Sequence, residues 1–118
     1  MSELLIYTTD ERNVTVRLEG ETLWLTQRQM ADLLDTSTDN ISLHLKNIYA
    51  NEELGESSTA EDFSVVQTEG ARKVGRRVKH YNLDAIISVG YRVNSRRGVR
   101  FRQWATRTLR DHLLSGYT

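Results

Sequence analysis

The sequence predicts an α/β domain of the winged helix-turn-helix kind. It would have an N-terminal β-meander, a basic β-hairpin wing and two C-terminal helices. Three observations carry this. Two short amphipathic segments meet at a polar turn around residue 36. A glycine-containing hairpin bearing five cations follows them. The last third of the chain then reads as two helices with apolar faces.

The first 25 residues read as strands. Leu4 to Tyr7 is a short apolar run, and Val14, Val16 and Leu18 alternate with Thr15, Arg17 and Glu19, the period of a half-buried strand. Thr9 to Asn13 is a polar turn. Gly20 permits a tighter one, because it takes positive φ without a steric cost. Thr22 to Leu25 makes a third strand leading into the first helix.

Thr26 is placed to cap that helix, expected near 27–35, with Met30, Ala31, Leu33 and Leu34 on its apolar face. Residues 35–38 break it with side chains that bond their own backbone. Asp35 stands where a turn of this kind usually has glycine. Thr38 is expected to cap the second helix, near 39–50, which buries Ile41, Leu45 and Ile48 at i, i+4 and i+7. Its outward side carries Asp39, Ser42, Lys46 and Asn47. In a DNA-reading helix-turn-helix the second helix offers such polar groups to base edges in the major groove. Two packed amphipathic helices with no nucleic-acid role give the same pattern.

Residues 49–61 are polar and acidic and read as an exposed loop. A hairpin is expected from about 63 to 81, turning at residues 69–71. Its tip and second arm carry Arg72, Lys73, Arg76, Arg77 and Lys79. Cations on an exposed strand also guard against aggregation. Five within eight residues exceed that need and suit phosphate contact. Asn82 can cap a helix near 83–93, in which Gly90 suggests close approach of another backbone. A last helix near 95–115, capped around Asn94 and stopped by Gly116, carries Phe101, Trp104, Ala105, Thr108, Leu109 and His112 on one stripe. Arg96, Arg100, Arg107 and Arg110, with Gln103 between them, form another. That second stripe reads equally as an anion surface or as a solvated face paired with the acidic half. The expected core is Leu33, Leu34, Ile41, Leu45, Ile48, Ile86, Ile87, Phe101, Trp104 and Leu109.

Composition sets bounds. The 118 residues suit one domain, with 38% hydrophobic and 27% charged residues and no Cys. Disulfides and thiolate metal sites are excluded, and no apolar run is long enough to span a bilayer. A cytoplasmic protein without membrane association is expected. The zero net charge hides an asymmetry: residues 1–61 hold 4 Lys/Arg and 12 Asp/Glu, and residues 62–118 hold 12 and 4. Such a dipole suits an anionic partner approaching one side.

Leu23-Trp24-Leu25-Thr26-Gln27, the run from Asn40 to Ile48 and the run from Tyr81 to Val93 resemble the RhuM-type bacterial virulence protein family. Ser95-Arg96-Arg97-Gly98 and the run from Phe101 to Thr106 continue the likeness. More remotely, the last two helices resemble the amino-terminal domains of phage antirepressors and baculovirus repeat proteins. The resemblance implies a DNA-binding domain over 1–118, forming the N-terminal part of a longer protein with a C-terminal effector domain. Some relatives resemble fusions to Fic-type toxins, but the Fic loop motif is absent here.

No catalytic constellation is apparent. His44, His80 and His112 lack metal-ligand spacing, and no glycine-rich phosphate loop precedes a helix. The expectation is a non-enzymatic, cofactor-free, sequence-specific binder of double-stranded DNA, a transcriptional or phage- or virulence-associated regulator acting alone or as a homodimer. Thr38, Asn40, Ser42 and Lys46 would lie nearest the bases, and Arg72, Lys73, Arg76, Arg77 and Lys79 nearest the phosphates. The alternative is a protein-interaction or dimerisation module on the same scaffold.

Overall fold

A computed structural model describes residues 2–115. Strands β1 (Glu3–Thr8), β2 (Asn13–Glu19) and β3 (Thr22–Thr26) lead into helices α1 (Gln27–Leu34), α2 (Thr38–Ala50) and the short α3 (Glu56–Thr59). Strands β4 (Ala60–Glu69) and β5 (Arg72–Asn82) follow, then α4 (Leu83–Val93) and α5 (Ser95–Ser115). The five strands form one antiparallel sheet in the order β1-β2-β3-β5-β4. The hairpin β4–β5 therefore occupies one edge and β1 the other. Gly20 and Gly70 both take positive φ at the hairpin turns.

Helices cover one face of the sheet. The alternation of β2 and β3 turns Val14, Val16, Leu18, Leu23 and Leu25 toward them, and Tyr81 of β5 joins this face beside Leu25. Against these pack Met30, Ala31, Leu33 and Leu34 of α1, Ile41, Leu45 and Ile48 of α2, Ala85, Ile86 and Val89 of α4, and Phe101 and Ala105 of α5. Ile87, Trp104 and Leu109 are only half-buried, against expectation. The buried stripe of α4 runs through Ala85, Ile86 and Val89, so Ile87 falls on its border. Trp104 and Leu109 flank the narrower Phe101–Ala105 stripe. Tyr7 closes this end, with its ring 5.1 Å from Phe101 and 5.0 Å from Trp104. Among the described residues no helix lies on the opposite sheet face. There Phe63 meets Trp24 and His80 edge-on, with the Arg17 guanidinium 4.9 Å from the Phe63 ring centre.

The helix boundaries follow local chemistry. Thr26 caps α1 in a reciprocal box: its hydroxyl accepts from the Gln29 amide, and the Gln29 side chain accepts from the Thr26 amide. Asp35 ends α1 in the left-handed region, with φ 56° and ψ 56°. Ser37, not Thr38, caps α2, because its hydroxyl accepts from the Asn40 amide. Thr38 is already helical and exposed. Asn82 and Asn94 accept from the amides of Ala85 and Arg97, as their positions predict. Gly116 lies outside the described residues.

Residues 49–61 are more ordered than a loop reading expects. α2 ends at Ala50, as expected, but beyond it the chain is pinned: the Tyr49 hydroxyl lies 2.9 Å from the Thr59 hydroxyl, which is buried. Thr59 also donates to the Gly55 carbonyl at 2.7 Å. Sparse apolar content hides a segment fixed by polar bonds. Gly90 and Gly98 explain how α4 and α5 cross. A Cβ on Gly90 would lie 3.1 Å from Gly98 Cα, and one on Gly98 would lie 3.1 Å from the Gly90 backbone. Each helix supplies a glycine so that the two backbones can touch.

Candidate nucleic-acid interface

Strand alternation divides the hairpin cations between two faces. Lys79 is two residues from Tyr81, so Lys79, Arg77 and Lys73 share the helix-covered side of the sheet. Arg72 and Arg76 fall on the other side. Arg76 is held there by Glu69, with Nε and Nη2 both donating to its carboxylate at 2.7–3.0 Å. The five cations that look like one cluster in sequence are thus two sets.

Of the first set, Lys79 lines a cleft between hairpin and helices. Thr26, Gln27, Arg28 and Gln29 at the start of α1, with Thr38 at the start of α2, form one wall. Val65, Val66, Gln67, Val78 and Lys79 form the other, around a cavity of about 590 Å³. A second cavity, of about 320 Å³, continues from Gln27 past Ser42, Leu45 and Lys46 to Tyr49, Glu56 and Tyr81. Gln27 is common to both, and its amide donates to the Tyr81 hydroxyl at 3.2 Å. Thr38, Ser42 and Lys46 therefore lie on one side of α2, Thr38 across from the hairpin and Ser42 and Lys46 across from Glu56 and Tyr81.

Asn40 has a different place. Its side-chain amide donates to the Thr36 hydroxyl at 3.1 Å and braces the turn between α1 and α2. Arg28 and Gln27 do not stand out in the sequence. Only the folded hairpin brings them opposite Lys79, and their sole sequence signal is a position directly after a helix cap.

The cations here differ in availability. Lys79 pairs with Glu56 at 3.3 Å, which raises its pKa through the hydrogen bond and the adjacent negative charge. Arg77 donates to the Asp62 carbonyl at 3.0 Å. Among the described residues no carboxylate lies within ion-pair distance of Arg28, Lys46, Lys73 or Arg77. Several acids of the N-terminal half are turned elsewhere: Arg12–Asp32, Arg92–Glu53 and Arg97–Glu11 tie them to other parts of the fold. The amides at the starts of α1 and α2 add positive potential at the cleft.

The histidines lie apart from this surface. His80 is buried and its Nδ1 lies 2.8 Å from the Val78 carbonyl; burial pushes its pKa down. Among the described residues no group of three His, Asp or Glu is placed to hold a metal ion. No described helix is long and apolar enough to cross a membrane.

These features define a small mixed α/β domain in which a helix pair and a projecting two-stranded arm enclose an open cleft. The sequence model of the virulence protein RhuM family matches residues 58–118, and the chain belongs to that family. The matched half runs from the end of α3 through the hairpin, α4 and α5. No curated protein and no solved structure matches the chain.

Proposed function

We propose that the domain binds double-stranded DNA as a winged helix-turn-helix, without catalysis. In this reading α1, the turn at residues 35–37 and α2 form the helix-turn-helix, and β4–β5 is the wing. The observation that carries it is the cleft, where Arg28 and Thr38 lie opposite Lys79 of the wing and Ser42 and Lys46 of α2 continue the surface, with Lys73 and Arg77 on the same strand face as Lys79. Polar side chains on α2 suit base edges, and unpaired cations at the rim suit phosphates.

In this reading some contacts differ from those expected from the sequence. Arg77 and Lys73 share the strand face of Lys79, whereas Arg76 is engaged by Glu69 on the far side. Replacing Lys73 and Arg77 with Ala should weaken binding to all duplexes alike and flatten the salt dependence by about two units of slope. Replacing Ser42 should instead change sequence preference, by ~1–3 kcal/mol at the base concerned. The measurement is anisotropy of labelled duplexes, random sequence included, at several salt concentrations. A folded chain that binds no duplex at low salt would reject the proposal.

One observation favours a second reading, dimerisation. β1 is an edge strand, and Leu4 and Ile6 on the uncovered sheet face are 62% and 56% exposed. An apolar seam there would barely respond to salt, so the same titration with light scattering separates the two.

A further inference from the structure

α5 carries six arginines and one acid, Asp111, between Ser95 and Leu114. Arg96, Arg100, Gln103, Arg107 and Arg110 recur at i, i+4, i+7, i+11 and i+14, so they stack along one side of the helix. All five are exposed. At 1.5 Å rise per residue the row is ~21 Å long. It points away from the Phe101–Ala105 stripe that docks the helix.

Among the described residues only one of the six arginines meets a carboxylate: Arg97, which is off the row, pairs with Glu11. The other five have no acidic partner among the described residues. The acidic half of the chain thus leaves this face uncompensated. Like charges at i, i+3 and i, i+4 destabilise a helix, which makes the row costly unless something anionic covers it. At its head Arg96 and Arg100 line a cavity of about 340 Å³ with Tyr7, Asn94 and Arg97, where Asp10 offsets part of the charge. Along its shaft Arg102, Gln103, Thr106, Arg107 and Arg110 line another, of about 430 Å³, with no acid at all.

The placement matters as much as the charge. α5 packs on Tyr7 of β1, at one edge of the sheet. The hairpin is the other edge, four strand spacings or ~19 Å away. The row and the cleft are separate surfaces.

We propose that the arginine row of α5 is a second surface for the phosphate backbone of a nucleic-acid duplex, at the sheet edge opposite the hairpin. The choice of duplex as the polyanion rests on the DNA-binding reading; the row itself does not depend on the cleft. A duplex presents roughly six phosphates of one strand over the length of the row. Backbone contact alone is expected, because arginines at a single helical spacing carry no pattern of donors and acceptors for bases.

The test compares two variants of the whole chain on random-sequence labelled duplex across a salt series. One replaces Arg100, Arg107 and Arg110 with Gln, and the other replaces Lys73 and Arg77 with Gln. Circular dichroism checks the fold, and Arg107→Gln alone serves should the triple variant misfold. The α5 variant should lose about two to three units of salt slope, and Arg107→Gln about one. An unchanged slope in the α5 variant, with loss in the hairpin variant, overturns the second surface and leaves the cleft reading intact. Loss in the α5 variant alone overturns the cleft reading and keeps the row. Absence of duplex binding by the parent chain at low salt overturns both. A dimer that the α5 variant splits without any change in slope makes the row a protein contact and also overturns the proposal.

Discussion

Asp35 shows how a single residue sets the angle between α1 and α2. The chain leaves α1 through the left-handed region there, and the Asp35 and Thr36 amides both donate to the Ala31 carbonyl. Asp tolerates that conformation less well than Gly. Asp35→Gly is therefore expected to stabilise the domain by ~0.5–1 kcal/mol, and Asp35→Val to destabilise it by ~1–2 kcal/mol, in urea melts. His80 is the corresponding case for charge. Its folded pKa lies below the ordinary value because of burial, with Arg17 opposing protonation and the Val78 carbonyl and Asp62 favouring it. Well above pH 6.5 both states are neutral and His80 adds nothing to pH dependence. As pH falls through ~6.5 the unfolded chain takes up a proton that the folded chain resists, so stability is lost. The melting temperature should fall from about pH 7.5 to about pH 5, and His80→Gln should flatten that part of the profile. A parallel profile in the variant would assign the acid sensitivity to other groups.

At the scale of elements, α5 docks through few side chains. Phe101 is fully buried, whereas Trp104 is half-buried and lies over Tyr7. Phe101→Ala should cost ~3–5 kcal/mol, and Trp104→Ala closer to ~2 kcal/mol, because part of the indole is already in water. Equal losses by calorimetry would show that the tryptophan is as enclosed as the phenylalanine. The helices and the hairpin are legible from periodicity and caps: Thr26, Asn82 and Asn94 sit where their side chains satisfy first-turn amides. Residues 49–61 are not legible, since Tyr49 and Thr59 meet through hydroxyls across a turn and leave no apolar period. The α2 cap falls at Ser37, one residue before the expected Thr38, because Thr36, Ser37 and Thr38 are all chemically able to cap.

At the scale of the whole molecule, the outer hairpin stands apart from the core. None of residues 64–79 joins the buried apolar cluster, and Val66 is 74% exposed. Replacing residues 66–75 by an Asn-Gly turn should change stability by no more than ~0.5 kcal/mol. Under the proposed function the same change removes Lys73 and the Val66–Gln67 part of the cleft wall and weakens duplex binding. Melting and anisotropy on this one variant would then separate stability from binding. A large loss of stability would show that the arm braces the sheet.

The sequence by itself determined the strands, the four long helices, the glycine contact of α4 with another backbone and the polarity of charge along the chain. Each of these is local: an alternation of two, a period of 3.6, a cap, or a glycine where a side chain would not fit. It also determined which cations belong to the hairpin. Only the tertiary structure decided which of them share a face. Registering β5 on β3 puts Lys73, Arg77 and Lys79 on the helix side and sends Arg72 and Arg76 to the other, where Glu69 holds Arg76. Only the sheet order puts Arg28 and Gln27 opposite the hairpin and α5 at the far edge. The reason is physical. Secondary structure follows from neighbours in the chain, but a binding surface is made by residues that meet only when long-range strand pairing and helix packing fix which faces coincide.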